Sequence, residues 1–596
     1  MKYLTSQVIS NELKFYREII KILLKIGKSK KSLTKDDLNS LKIKLSKKYN
    51  LKKIPTDAEI ILYSNPTEIK KLSLITKPTR TLSGVAPIAL MTKPNKCPHG
   101  TCIYCPGGLG SIYGDVPQSY TGKEPSTMRS IRNNYDPYLV VFNRLEQYII
   151  LNQNPEKTEV IIQGGTFLAM DPYYKYNFVK DIFKAMNDFS DNFYIKKKGT
   201  KNKELDYKKF KEFFELPSDK DDLERTKRIQ KKTLDLKNIN QEKKITFEKI
   251  ENDLEKEQIK NENSIIKCVG LTIETKPDYG KLEHGNEMLK FGCTRVELGI
   301  QATDEKIIKF VNRGHTIKDS IESTRILKDL GFKINYHMMP GLPLSNKQKD
   351  IEMLIETIKN PDFRPDMFKI YPTLVMKGTA LYNLWKLGKY KPITTEEAAE
   401  IISEFKKHIP HWIRIMRVQR DIPSNITDAG VDKTNLRQYV EKKLHEKNIN
   451  CKCIRCREAG LLSLKGEKFK PDNYEIFVEK YEASKGVEFF ISAETKDRKA
   501  LFGYCRLRFP SQFLRKEITK ESALIRELHV VGSLTGIGEE GEIQHKGLGK
   551  KLLQKAEQIA KENGKNKIVV ISGIGVRNYY RKLGYEREEV YMVKLI

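Results

Sequence analysis

The stretch MTKPNKCPHGTCIYCPGGLG, residues 91–110, places Cys97, Cys102 and Cys105 within nine residues, with no further cysteine until Cys268. Three thiolates can hold a cubane iron–sulfur cluster by three of its irons and leave the fourth iron open, as a catalytic metal keeps one coordination position free. An open iron can bind a substrate. The spacing of four residues and then two also suits a zinc knuckle, so the segment alone admits either metal. Around it, from about residue 81 to 395, the strand-like segments TEVIIQGGTF, CVGLTIETKP, CTRVELGIQA, KINYHMMPGLP and MFKIYPTLV alternate with amphipathic stretches. This rhythm predicts parallel β/α units that close into a partial or full barrel, with catalytic loops at the carboxyl ends of the strands.

At 596 residues and 39% hydrophobic content, the chain is long enough for two or three cored domains. Its net charge of +32 implies a polyanionic partner or a charged membrane surface. No apolar run approaches the roughly 18 residues that span a bilayer, and lysines interrupt the apolar positions of the start. A cytoplasmic protein, neither anchored nor secreted, is expected. Six of the nine cysteines fall in two tight triplets, which suits metal binding in a reducing compartment and argues against a disulfide framework. Cys268 and Cys293 stand alone and are expected in the core.

Residues 1–80 read as a basic helical N-terminal region, a candidate RNA-binding arm. Residues 190–262 are so rich in lysine, glutamate, aspartate and asparagine that a helical, surface-borne insertion burying little area is expected within the 81–395 domain. From 396 to 460 a basic, helical linker is predicted, containing HIPHWIRIMRVQRDIP and CKCIRCREAG. Cys451, Cys453 and Cys456 are close enough to meet on one ion, and zinc is preferred there. A closed zinc site needs a fourth ligand, for which His408, His411 and His445 are the candidates.

Residues 461–596 carry a second chemistry. Gln544, Gly547, Leu548 and Gly549 lie in a Gln-x-x-Gly-x-Gly loop between the strand-like SALIRELHVVGS and the helix-like GKKLLQKAEQIAKENG. Glycines at a helix N-terminus expose successive backbone N–H groups to a pyrophosphate. The loop fits that of Gcn5-related acetyltransferases, which implies acetyl-CoA, with its pantetheine arm hydrogen-bonded along Glu527, Leu528, His529 and Val530. In that family a tyrosine protonates the leaving thiolate, and Tyr579 or Tyr580 is the candidate.

The first cysteine loop resembles that of radical S-adenosylmethionine (SAM) enzymes, whose usual spacing is three residues and then two. There, SAM chelates the open iron of a 4Fe-4S cluster and one electron splits it to a 5′-deoxyadenosyl radical. By that resemblance Tyr104 packs near the adenine, Gly164, Gly165 and Thr166 receive the SAM amino group, and Glu297 and Gln301, alternating along one strand face, hold SAM as well. With CPHGTCIYCPGG, QSYTGKEPSTMRSIRNNYDPY, GCTRVELGIQ, HMMPGLP, RPDMFKIYPTLV and ISGIGVRNYYRKLGY in order, the chain resembles the archaeal Elongator catalytic subunit family from about residue 75 to its end.

The resemblance implies a tRNA-modifying enzyme that uses acetyl-CoA and SAM to form 5-carboxymethyluridine at the wobble position. Lys157 matches the family lysine that contacts acetyl-CoA in the radical domain. An anticodon stem-loop, an electron donor, and a homodimer or Elongator-like assembly are the expected partners, without a membrane. Two rivals stand beside this reading: a protein lysine acetyltransferase with a structural iron–sulfur cluster, and a tRNA-binding scaffold that holds acetyl-CoA as a ligand.

Overall fold

The computed structural model describes residues 2–28, 34–72, 84–196, 203–218, 222–238, 246–467, 469, 473–531 and 547–596. Four helices open the chain: α1 (Lys2–Lys28), α2 (Lys35–Lys48), α3 (Asp57–Tyr63) and α4 (Pro66–Lys71). Thr34, Thr56 and Asn65 start the last three with reciprocal capping boxes to Asp37, Glu59 and Glu68. Phe15, Ile19, Leu38, Leu45 and Ile60 form their own small core.

Seven parallel strands follow: β1 (Ala86–Met91), β2 (Lys157–Gln163), β3 (Lys267–Thr275), β4 (Arg295–Gln301), β5 (Lys333–Met338), β6 (Met367–Ile370) and β7 (Arg414–Arg417). They pair in that order, and β1 and β7 are the open edges, so the barrel is partial. Along β2, Thr158, Val160 and Ile162 are buried in the outer core while Glu159, Ile161 and Gln163 remain part-exposed on the concave face. Successive side chains of a strand point to opposite faces. Because one set is largely polar, the concave side holds a cleft in place of the packed interior of a full barrel.

The barrel extends beyond the expected limit at residue 395. The helix Thr395–Lys407 and β7 form its last unit, because β7 pairs in parallel with β6 from Met367↔Arg414. Its sequence RIMR read as a basic linker because the arginines mask the alternation. Ile415 is buried on one side while Arg414 and Met416 line the cleft on the other.

The charged insertion is helical as expected, but it buries far more than its composition suggested. Helix α5 (Pro137–Ile150) and helix α6 (Pro172–Phe193) receive α7 (Leu223–Asn238) and α8 (Phe247–Asn261). Ile250, Leu254, Gln258 and Asn261 recur at helical spacing and make one buried face of α8. Phe193, Phe210 and Phe214 are at most 1% exposed and pack with Phe189 and Phe213 in an aromatic knot. A few large side chains on one face outweigh a polar average, since each fully buried one contributes about 1.5–3 kcal/mol.

The C-terminal sheet comprises β8 (Glu475–Ala483), β9 (Gly486–Glu494), β10 (Leu501–Phe509), β11 (Ser522–Val530), β12 (Lys567–Val570), β13 (Glu586–Glu588) and β14 (Tyr591–Leu595). The order is β8-β9-β10-β11-β12-β14-β13, with only β11 and β12 parallel. Those two pair from Ser522↔Lys567 to Ile525↔Val570 and then part, while β11 continues to pair with β10 as far as Val530. Helices α9 (Leu548–Glu562) and α10 (Arg577–Arg581) complete the domain.

A buried ion network joins this sheet to the barrel. Arg526 donates to both Asp366 oxygens at 2.8 and 2.6 Å and to Glu488 at 2.9 Å. Arg508 meets Asp329 at 2.6 Å and Glu488 at 3.0 Å, and Arg506 meets Glu527 at 2.9 Å. Lys328 lies 3.4 Å from Glu488. Four cations thus face four carboxylates with almost no water, an arrangement that persists only while every charge is matched.

Candidate functional site

The loop after β1 carries the first cysteines at the carboxyl end of the strands. Cys102 and Cys105 are buried and Cys97 is part-exposed. His99 Nε2 lies 3.3 Å from Cys102 Sγ, and Arg313 Nη1 donates to the same sulfur at 3.8 Å. The Ser119 amide donates to Cys105 Sγ at 3.1 Å, and the Ser119 carbonyl is in turn held by Arg420. Burial pushes the Cys105 thiol up to about 11, while Arg313 offsets the burial that raises Cys97. An incoming cationic cluster would therefore take up these sulfurs as thiolates and release protons.

Gly164 and Gly165 follow β2 with φ of 114° and 79°. A Cβ on Gly164 would stand 2.5 Å from Thr92 Oγ1, and one on Gly165 would stand 3.9 Å from Cys97 Sγ. Thr166 flanks Cys97 and lines the same cleft. Gly164 thus packs too tightly against Thr92 for any side chain, and the missing side chain of Gly165 leaves room beside Cys97. Tyr104 is buried within the loop, against the core that includes Cys102 and Cys105.

Gln301 ends β4 in the left-handed region, at φ 71°, and its buried Oε1 has no partner among the described residues. Glu297 does not share that position. A bulge between Leu298 and Gln301 breaks the even alternation expected of the pair, and Glu297 is fully buried in a salt bridge with Lys369. Lys157 stands at the amino end of β2, the full strand of seven residues, roughly 20 Å, from the cysteine end. The structure does not bring it to the thiols.

The cleft has a volume of about 590 Å³ and runs from Cys97, Gly165 and Gln301 along the concave face to Glu159, Arg414 and Arg455 near the amino ends. Its middle is a charged floor of which the sequence reading named only Glu297. Lys369 Nζ lies 3.2 Å from Glu274, Gln163 donates to Glu274 at 2.8 Å, and His337 Nε2 lies 2.8 Å from Glu297. The available signal was a lone histidine in KINYHM and a lone lysine in MFKI, each a charge-bearing residue in an apolar strand. Arg129, Arg144, Arg417 and Arg420 add positive charge to the walls.

Cys451, Cys453 and Cys456 bring their sulfurs within 4.8 Å of one another. Thiolates on one tetrahedral zinc, each about 2.3 Å from it, lie about 3.8 Å apart, so this trio fits a single ion. The first trio is not gathered so closely among the described residues, in keeping with a larger cluster. No fourth histidine or carboxylate joins the second trio among the described residues; His408 faces Glu404 and His411 faces Glu479. Lys406 Nζ instead lies 3.4 Å from Cys456 Sγ.

In the C-terminal domain Gly547 caps α9 at φ 79°, and Leu548 is buried as its first residue. A Cβ on Gly549 would meet Tyr579 Oη at 3.0 Å and Val530 Cγ2 at 3.7 Å, so loop, splayed strand and tyrosine converge. Tyr580 takes no part: it is 6% exposed and packed among Cys505, Leu552 and Tyr585. The Glu527 side chain is bound by Arg506 and by Tyr504 at 3.1 Å, and Glu527, Leu528, His529 and Val530 lie on the part of β11 beyond its pairing with β12. Gln544 lies outside the described residues.

A thiol loop over a parallel half-barrel, joined to a splayed acetyltransferase sheet, defines a radical SAM enzyme fused to an acetyltransferase. Family models agree: the ELP3 N-terminal domain over residues 12–82, the Radical SAM superfamily over 220–358, the Radical SAM C-terminal domain over 365–446 and the Acetyltransferase (GNAT) family over 459–585. The tRNA uridine(34) acetyltransferase of Methanocaldococcus jannaschii is 45% identical over 91% of this chain and 90% of its own length. Elongator complex protein 3 of Saccharomyces cerevisiae is 38% identical over 94% and 92%. The solved structure of Methanocaldococcus infernus Elp3 lacking residues 1–46 covers 87% of this chain and 100% of its own, at 38% identity and a TM-score of 0.68. The chain belongs to this family of tRNA uridine(34) acetyltransferases and Elongator complex protein 3.

Proposed function

We propose that the chain modifies the wobble uridine of tRNA, joining an acetyl-derived two-carbon unit to carbon 5 to give 5-carboxymethyluridine. The observation that carries this reading is the single cleft that runs from the cysteine loop, along the concave face of the barrel, towards the side on which the acetyltransferase sheet is locked by buried ion pairs. Bound at Cys97, Cys102 and Cys105, a 4Fe-4S cluster with SAM would supply a carbon radical able to take hydrogen from an unactivated methyl group.

The chain's own residues do the rest. Arg313 tempers the negative charge at Cys102, and Gly165, Thr166 and Gln301 border the space where SAM fits, with Gly164 packed behind them against Thr92. Gly547 and Gly549 present backbone N–H groups to the CoA pyrophosphate, with the phenol of Tyr579 beside them to protonate a departing thiolate. Cys451, Cys453 and Cys456 would hold a zinc whose fourth ligand comes from outside the trio. The arginines of the cleft and the lysine-rich N-terminal helices suit the phosphates of an anticodon stem-loop. An electron donor and further subunits complete the proposal, in the cytoplasm; no described helix is long and apolar enough to cross a membrane.

The test is mass spectrometry of nucleosides from tRNA incubated anaerobically with reconstituted protein, reductant, SAM and acetyl-CoA. 5-Carboxymethyluridine together with 5′-deoxyadenosine is expected. Acetylated peptide lysine without either product would replace this reading with the lysine acetyltransferase.

A further inference from the structure

A carboxymethyl group cannot leave the cleft as a CoA thioester; a water molecule must cut the C–S bond somewhere. The acetyltransferase site offers Tyr579, an acid in character, but among the described residues it holds no histidine–carboxylate pair in hydrogen-bond contact: His529 Nδ1 lies 3.9 Å from Glu527, which Arg506 and Tyr504 already hold. The barrel floor does hold such a pair. His337 lines the cleft on β5, with Nε2 2.8 Å from Glu297 Oε2. Glu297 is fully buried, and Lys369 is ion-paired to the same Oε2 that meets His337. Nδ1 of His337 makes no hydrogen bond among the described residues. A buried carboxylate that accepts one imidazole N–H fixes the tautomer and leaves the other nitrogen basic, which is the arrangement that activates a nucleophile.

The surroundings are consistent with catalysis and against a metal. Glu274, Glu297 and His337 come within 4.8 Å of one another, but the Lys369 ammonium already sits against both carboxylates. Lys369 has three N–H donors and two carboxylate partners, so one donor remains for an oxyanion. Tyr120 donates to Glu274 at 3.2 Å and the Tyr371 ring meets His337 edge-on at 5.3 Å, which holds the floor rigid.

We propose that His337, oriented by Glu297, is the general base that hydrolyses the thioester formed on uridine, with Lys369 facing the oxyanion. This rests on the proposed function above. His337 Nδ1 takes a proton from water as the oxygen bonds to the thioester carbonyl carbon. The tetrahedral oxyanion collapses, the C–S bond breaks, and the departing CoA thiolate recovers the proton from the imidazolium. One water is consumed, the carboxylic acid ionises to solvent, and nothing is oxidised or reduced.

The experiment gives the full-length protein, without SAM, an anticodon stem-loop whose wobble uridine carries a synthetic N-acetylcysteamine thioester of the 5-carboxymethyl group. Conversion to the carboxylate is followed by mass spectrometry. His337→Gln and Glu297→Gln are expected to slow conversion by about 10²–10⁴-fold. Added imidazole should restore part of the rate to His337→Gly, a rescue that a purely structural role would not show. In full turnovers of His337→Gln, hydroxylamine should trap the thioester as a hydroxamate in at least tenfold greater share than with the wild type.

Wild-type-like conversion by His337→Gln overturns the proposal, as does wild-type protein that binds the stem-loop but leaves the thioester intact. Loss of conversion without imidazole rescue and with an altered circular dichroism spectrum would also overturn it, in favour of a structural role. If wild-type protein neither binds the stem-loop nor modifies tRNA, the underlying function fails and the proposal with it.

Discussion

Arg526→Met should unlock the acetyltransferase domain from the barrel. The guanidinium makes two bonds to Asp366, two to Glu488 and one to the Phe332 carbonyl at 2.7 Å, all in the buried interior. Without it, Asp366 keeps the Ile334 amide at 2.8 Å, Arg506 at 3.5 Å and Lys328 at 3.7 Å, and Glu488 keeps Arg508 and Lys328. Removing one partner from a buried ion pair costs about 3–5 kcal/mol, chiefly because the remaining charge stays buried. Some compensation survives, so the lower end, about 3 kcal/mol, is expected; that is roughly a hundredfold in the opening equilibrium. Urea denaturation and hydrogen exchange along β9 and β11 would measure it. Arg526 directly precedes the Glu527–Val530 stretch, so KM for acetyl-CoA should rise too. The double variant Arg526→Met with Asp366→Leu should recover much of the loss, because it removes both charges. A loss below about 1 kcal/mol, or strict additivity in the double variant, would refute the view that matched burial governs this junction.

Three further outcomes follow from the same geometry. Burial alone would raise the carboxyls of Asp366 and Glu488, but Arg526 holds both below their ordinary values, and Lys333 and Arg506 do the same for Glu527. Their stabilisation is therefore complete above the unfolded values near pH 4 and is lost as pH falls below them, so the midpoint of thermal unfolding should drop steeply with acid below about pH 4. Tyr579→Phe should slow acetyl-CoA consumption by about 10²-fold or more with little change in melting temperature, whereas Tyr580→Ala should cost about 3–5 kcal/mol of stability as a core truncation. Raising salt from about 50 to 200 mM should weaken tRNA binding by tenfold or more, and a flat response in a filter-binding assay would count against the arginine-lined cleft as the RNA site.

Local sequence determined the elements whose physics is local. Cysteine spacing, a glycine pair after a strand, a glycine-capped helix and alternating strands each act within a few residues, so the half-barrel, the acetyltransferase sheet and the thiol loop were legible. The burial of Cys268 and Cys293, both 1% exposed, followed from their isolation in apolar segments. Tertiary structure alone decided what depends on distant partners. The charged insertion packs because its few phenylalanines and leucines meet helices α5 and α6, and its last turn reaches the other domain, where Glu262 binds Arg577 at 3.1 Å and Arg581 at 2.6 Å. The choice of Tyr579 over Tyr580 turns on which side of a single helical turn faces Gly549. The His337, Glu297 and Lys369 floor comes from three strands spread over more than thirty residues between neighbours or within one sheet, and no linear spacing announces it. A charge in an apolar strand is costly until another strand supplies its counter-charge, and only the folded sheet brings the two together.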